Sequence, residues 1–182
     1  MQAQPAVPME FLRFNAPDAD ALALDIEETR AKLAAARLAG DTLAAVEHAA
    51  DLGSMLTTAR REREALALLQ AMLAETEAQT AHEPAGWFLN AYATVLQYSG
   101  RRDEADVVFT KALALCRLNG WSRLQSFVLQ HRGRSLVEQQ RFDEAQACFT
   151  EALDLRVQLN DPRQASTRRA LEALAELRAR RA

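Results

Sequence analysis

Residues 86–113 (GWFLNAYATVLQYSGRRDEADVVFTKAL) and residues 126–153 (SFVLQHRGRSLVEQQRFDEAQACFTEAL) align without a gap at a spacing of 40 residues. Residues 46–73 (VEHAADLGSMLTTARREREALALLQAML) align with both at the same spacing. Apolar residues recur at i, i+3, i+4 and i+7 in all three segments, which is the period of an amphipathic helix. A regular period of this length predicts an array of stacked helix hairpins, with repeats at residues 46–79, 86–119 and 126–159.

Three columns of the alignment hold side chains of similar size. Small residues fill two columns, where the two helices of a hairpin are expected to cross: Gly53, Ala93 and Gly133, then Ala65, Ala105 and Ala145. Large apolar residues fill the third, where they are expected to pack between successive hairpins: Leu69, Phe109 and Phe149. Gly40, Gly100 and Gly120 stand where helices should end, because glycine adopts the left-handed conformation at little cost. Helices are predicted at residues 18–39, 41–58, 61–78, 84–98, 101–118, 121–139, 141–159 and 162–180.

The order of these columns resembles the tetratricopeptide repeat: a small residue, then alanine twelve positions later, then phenylalanine, then alanine. The segments SGRRDEADVVFTKAL and QQRFDEAQACFTEAL are similar to the turn and second helix of that family. The usual period is 34 residues, and the longer spacing here resembles the extended repeats of kinesin light chains and bacterial peptide-sensing regulators. The resemblance implies an all-α solenoid of three helix–turn–helix repeats. HEAT-type helix pairs, which also run near 40 residues, are the alternative fold.

Two further segments flank the repeats. Residues 1–16 are expected to form a flexible N-terminal segment, and residues 17–182 a single helical repeat domain. An N-terminal helix over residues 18–39 begins this domain, and a capping helix over residues 162–180 ends it. Leucines of the cap are expected to cover the last hairpin, while its charged residues face solvent, as a terminal repeat requires: Leu171, Leu174 and Leu177 inward, Arg168, Arg169 and Glu172 outward.

The resemblance implies that the first helix of each repeat lines a concave groove. When the groove positions of that family are transferred to this sequence one by one, repeat one offers small or acidic residues, among them Glu47, Ala50, Asp51 and Ser54. Repeats two and three supply the predicted protein- or peptide-binding residues, which are Trp87, Asn90, Thr94, Gln97, Tyr98, Phe127, Gln130, His131 and Arg134. A helical wheel independently places the polar and aromatic residues of the second repeat away from its core columns.

The chemistry of this stripe suits a peptide. Amides such as Asn90 can donate to and accept from a peptide backbone, aromatic side chains bury a large area, and Arg134 can bind a carboxylate with two hydrogen bonds. Two alternatives stay open. Trp87 and Phe127 could instead pack between neighbouring repeats, and Arg134 could pair with Glu138 one turn further along the helix.

Nothing in the sequence indicates catalysis. Cys116, Cys148 and the three histidines show no metal-ligand spacing, and no glycine-rich phosphate loop is present. His131 has no nucleophile or acid at a recognisable spacing, and Cys148, beside Phe149, is expected to be a small core residue. We therefore expect no enzymatic activity, no metal and no cofactor.

Composition and charge limit the partners. The net charge is −3, and no apolar run of about 18 residues could span a membrane. The N-terminus lacks the features of a signal peptide, so the cytoplasm is the expected location. Nucleic-acid binding through the arginines of the C-terminal helix is not expected, because no aromatic residues accompany them. The expected function is a protein- or peptide-binding scaffold. The alternative is self-association, with Phe11, Leu12 and Phe14 buried against a second copy in a homodimer.

Overall fold

The computed structural model describes residues 10–180, in which every regular element is a helix. The helices are α1 (Ala19–Leu38), α2 (Thr42–Thr58), α3 (Glu62–Glu77), α4 (Glu83–Tyr98), α5 (Arg102–Asn119), α6 (Ser122–Glu138), α7 (Phe142–Gln158) and α8 (Gln164–Ala179). The predicted all-α class is confirmed, and each helix lies within two residues of its predicted bounds. None of these helices is long and apolar enough to cross a membrane.

The helices pack in chain order, so that each one lies against the next. In addition, α2 packs on α4 and α4 packs on α6. The first helices of the hairpins α2–α3, α4–α5 and α6–α7 therefore form a continuous layer. α1 packs against α2 at one end of this solenoid-like array, and α8 packs against α7 at the other.

The small residues allow close approach within a hairpin. A Cβ atom added to Gly133 would lie 2.5 Å from the ring of Phe149, and one added to Gly53 would lie 2.7 Å from the side chain of Leu69. Both Phe149 and Leu69 are fully buried. The large residues of the third column thus pack directly on the small residues of their own hairpin, and any side chain at Gly133 would force α6 and α7 apart.

Six of the connections between helices contain the same left-handed turn. Gly40, Gly100 and Gly120 adopt positive φ angles of 69°, 80° and 71°, as their positions predict. Three residues without that signal do the same, at 60°, 63° and 50°: Arg60, Gln140 and Asn160. In each case the next N–H bonds to the carbonyl five residues earlier, for example Arg61 N–H to Leu56 at 2.8 Å. The repeat imposes this turn even where the residue does not favour it.

Candidate functional site

A cavity of about 350 Å³ opens on the layer formed by α2, α4 and α6, and we call it the groove. Its walls bring together six of the nine residues expected to bind a peptide: Trp87, Asn90, Thr94, Tyr98, Phe127 and His131. Four residues of α2 complete the opposite wall, namely Asp51, Ser54, Thr57 and Thr58. Arg134 lies beside the groove under the ring of Phe14, with its guanidinium carbon 4.3 Å from the ring centroid. Gln97 and Gln130 are buried and do not line the groove.

The groove aromatics serve two purposes at once. Trp87 of α4 and Phe127 of α6 meet edge to face, with ring centroids 5.0 Å apart. Both rings are half-buried and both line the groove. Packing between neighbouring hairpins and exposure to a ligand are therefore compatible here, because one edge of the aromatic pair joins α4 to α6 and the rest borders the cavity.

Several buried polar groups near the groove have no hydrogen-bond partner within residues 10–180. They are the Oδ1 atom of Asn90, the Nε and Nη1 atoms of Arg134, and both amide atoms of Gln97. Asn90 and Arg134 are only 6% and 7% exposed. A buried polar group without a partner costs about 1–3 kcal/mol. Asn90 therefore offers an unused acceptor, and Arg134 offers unused donors, on a face that is otherwise well packed.

Thr94 and His131 form a fixed pair across α4 and α6. The Thr94 hydroxyl donates to the carbonyl oxygen of Asn90 at 2.8 Å, and its oxygen lies 3.1 Å from Nδ1 of His131. Because the single hydroxyl proton is already donated, Nδ1 of His131 must carry the proton of the second bond. Burial, with repulsion from Arg134 and Arg156, lowers the pKa of His131 to about 3. The imidazole is thus neutral at physiological pH.

We expect His131 to make stability depend on pH. Its pKa in the folded chain lies below the value of about 6.5 of an unfolded histidine. Its contribution is therefore fully present above pH 6.5 and is lost as the pH falls towards 3. Between pH 7 and pH 5, we expect the wild type to lose about 1–2 kcal/mol more unfolding free energy than His131→Gln in urea titrations. Glutamine can still donate to Thr94, so equal losses in the two proteins would contradict the assignment.

The two walls of the groove differ in charge. Glu47 and Asp51 lie on α2, where loss of solvent and repulsion from Glu47 raise the pKa of Asp51. Beside the groove on α6, burial lowers the pKa of Arg134 to about 10, which still leaves it charged at neutral pH. A bound chain would therefore place acceptor groups towards α6 and donor or basic groups towards α2.

The hypothesis that Arg134 pairs with Glu138 is wrong. The Glu138 carboxylate is fully buried and forms ion pairs with Arg13 at 2.9 Å and with Arg102 at 3.0 Å. Both partners come from elsewhere in the chain, and Arg13 is 125 residues away in sequence. Arg134 is covered by Phe14 instead. Periodicity along one helix could not have indicated either arrangement.

Residues 10–15 belong to the segment that was predicted to be flexible, and two of them, Arg13 and Phe14, contact residues that line the groove. Phe11 is 7% exposed and lies 6.3 Å from Phe149 between ring centroids. The Phe14 N–H donates to the hydroxyl of Tyr98 at 2.9 Å. The remainder of that segment, residues 1–9, lies outside the described residues. Sequence reasoning placed Phe11 and Phe14 in a surface for self-association, and it gave no signal for their contacts within the chain.

The reactive residue types are poorly placed for catalysis. Burial raises the pKa of Cys116 to about 12 and that of Cys148 to about 11, so both thiols are protonated at neutral pH. No group of three or more His, Cys, Asp or Glu residues in the described part of the chain could hold a metal ion.

In comparisons with known proteins, no family model matches the chain, and no curated protein matches it either. The geometry of the groove is therefore the basis on which a function can be assigned.

Proposed function

We propose that this chain is a non-catalytic scaffold that binds a protein or peptide segment in the groove, and that its hairpins are repeats of the tetratricopeptide type. The single observation that carries the proposal is that a segment of the chain itself already lies against the groove: the Phe14 N–H donates to the hydroxyl of Tyr98 at 2.9 Å, and the Phe14 ring lies 5.4 Å from the ring of His131. The same residues border the cavity of about 350 Å³. A surface that holds one peptide segment through side-chain and backbone contacts can hold another.

The unpaired polar groups support the same assignment. A peptide offers an N–H donor and a C=O acceptor at every residue, and these are the groups that Asn90 and Arg134 lack. The neighbouring rings of Trp87, Tyr98 and Phe127 can bury apolar side chains of the ligand. The Cys116 and Cys148 thiols stay protonated at neutral pH, so neither is poised as a nucleophile, which favours binding over catalysis.

Self-association is less well supported. Phe11, one of the residues expected to face a second copy, is buried within its own chain. Phe14 remains 43% exposed, but it covers Arg134 and forms part of the groove. The apolar N-terminal segment is thus largely engaged within the monomer.

The test uses peptides selected on the full-length chain from a random library. We expect Asn90→Ala to weaken their binding about tenfold, since a hydrogen bond that strands a buried partner is worth about 1–3 kcal/mol. Its melting temperature should be unchanged or higher, because the Oδ1 atom that is removed has no partner within residues 10–180. Arg168→Ala, an exposed change on α8, is the control and should bind normally. Selected peptides that bind Asn90→Ala and Trp87→Ala as tightly as the wild type would place the site elsewhere.

A further inference from the structure

The N-terminal segment is anchored by Arg13, whose guanidinium contacts Glu138 and Tyr98. The Nε and Nη2 atoms of Arg13 each donate to one oxygen of Glu138, both at 2.9 Å. The guanidinium also lies 4.5 Å from the ring centroid of Tyr98, and the Arg13 side chain is only 6% exposed. A two-pronged bond to a carboxylate combined with a stacked ring selects the planar guanidinium over an ammonium group.

Glu138 needs this arginine. It is the last residue of α6, where the helix dipole disfavours a carboxylate, and its side chain is fully buried. Arg102 supplies one positive charge, and Arg13 supplies the second. The backbone N–H of Phe11 also donates to Oε1 of Glu138 at 3.2 Å. Without Arg13, Glu138 would lose half of its ion pairs, so the site is built to receive an arginine from a segment that lies outside the repeat array.

The residue after the arginine forms a wall of the groove. The ring of Phe14 covers the guanidinium of Arg134 at 4.3 Å and lies 5.4 Å from the ring of His131. The ring thus covers a buried guanidinium whose Nε and Nη1 atoms have no hydrogen-bond partner within residues 10–180. Leu12, whose φ of 47° lies in the left-handed region, bends the chain between Phe11 and Arg13. A leucine rarely adopts this conformation, and the contacts on either side hold it there.

We infer that the groove, together with the adjoining site at Glu138, recognises a segment in which an aromatic residue follows an arginine. Residues 10–15 are the ligand of this surface within the same chain, and a partner carrying the same pair must displace them. This inference rests on the proposed function and names the ligand class of the same site. Glu138 and Tyr98 bind the arginine, and Arg134 and His131 contact the aromatic ring.

The tether makes this competition strong. Only four residues separate Phe14 from Ala19, the first residue of α1, so the segment acts at an effective concentration of about 1 mM. A free peptide with the same contacts must compete with that concentration. The peptide can bind only those molecules whose groove is open. Its apparent affinity for the intact chain is therefore the intrinsic affinity multiplied by the open fraction. We therefore expect release of the segment to strengthen the binding of a free peptide at least about tenfold.

The first experiment measures this competition with a fluorescein-labelled peptide of residues 8–17, PMEFLRFNAP, by polarisation. The proteins are the full-length wild type and the full-length double variant Arg13→Ala/Phe14→Ala, whose own segment is released. We expect the peptide to bind the double variant at least about tenfold more tightly than the wild type. Glu138→Gln in the released background should abolish this gain, and a peptide with lysine in place of the arginine should bind more weakly.

The second experiment measures occupancy within the intact chain. Trypsin cleaves after Arg13 only when its side chain leaves Glu138, so release of residues 1–13 reports the open state. We expect Glu138→Gln to accelerate this cleavage at least about tenfold. Glu144→Gln is the matched control, since this exposed carboxylate pairs with Arg141 alone among the ion pairs of residues 10–180. Equal cleavage rates in Glu138→Gln and the wild type would overturn the inference.

The remaining outcomes separate the inference from the proposed function. If the free peptide binds the wild type as tightly as the released variant, the segment does not compete, and the inference fails while the groove remains a peptide site. If the peptide does not bind the released variant at 1 mM, although library-selected peptides bind through Asn90, the ligand class is wrong and the proposed function stands. If neither kind of peptide depends on groove residues, both proposals fail.

Discussion

Phe149→Ala is expected to lower the free energy of unfolding by about 3–5 kcal/mol, the usual cost of removing a buried phenylalanine ring. The ring is fully buried and packs directly on the backbone of Gly133, so α6 and α7 touch through it. It also contacts Phe11, and its loss should loosen the N-terminal segment. Because repeat arrays depend on contacts between neighbours, the loss should appear first in α6, α7 and α8. Urea titration and hydrogen exchange measure the two effects.

The chain contains its own control for this substitution. Leu69 occupies the equivalent position in the first hairpin and faces Gly53 in the same way. Phe149→Leu therefore places in the third hairpin a side chain that the first already accommodates, and it should cost clearly less than Phe149→Ala. A loss below about 1 kcal/mol for Phe149→Ala would mean that the contact between the ring and Gly133 is not what joins the two helices.

Arg156→Ala is expected to cost about 2–4 kcal/mol and to detach the C-terminal cap. Arg156 lies in the last turn of α7 and is only 2% exposed. Its Nη1 atom donates to Thr167 Oγ1 at 2.6 Å and lies 3.2 Å from the carbonyl oxygen of Arg163 and 3.3 Å from Oε1 of Gln130. One side chain thus joins α6 and α7 to the start of α8, and its removal takes away the donor that Thr167 Oγ1 and Gln130 Oε1 have here.

The surroundings of Arg156 explain how a buried cation is tolerated there. The negative end of the α7 dipole and neutral oxygen acceptors stabilise the charge, and the ring of Phe127 lies 5.3 Å away. Arg156→Met keeps much of the side-chain volume and removes the hydrogen bonds, so its free energy of unfolding should lie between those of Arg156→Ala and the wild type. In both variants, the rate of hydrogen exchange should increase in α8 at a lower urea concentration than in α4. A methionine variant as stable as the wild type would show that packing alone attaches the cap.

Most of the fold could be predicted because its determinants are local. The apolar spacing and the three glycines at helix ends act within a single helix or turn, and the 40-residue period repeats the same hairpin along the chain. The left-handed turns at Arg60 and Gln140 could not be predicted in this way. These two residues do not favour the conformation, and the packing of the flanking helices imposes it.

The candidate site was predictable only in part, for the same reason. Helical periodicity correctly grouped Trp87, Asn90 and Thr94 on one face, and the repeat placed Phe127 and His131 beside them. It also assigned Gln97 and Gln130 to the groove, although both are buried outside the cavity lining. The helical wheel gives the direction of a side chain, whereas the depth at which it ends depends on how closely the neighbouring hairpin approaches.

The sequence by itself determined the helices, their order and the faces that they bury, because each follows from residue spacing and turn chemistry within a single hairpin. Only the tertiary structure decided the partners of the buried charged residues. Glu138 binds Arg13 across 125 residues, and Arg156 finds its acceptors on two other helices. Such contacts leave no period in the sequence, since they join residues of elements that meet only in the folded chain.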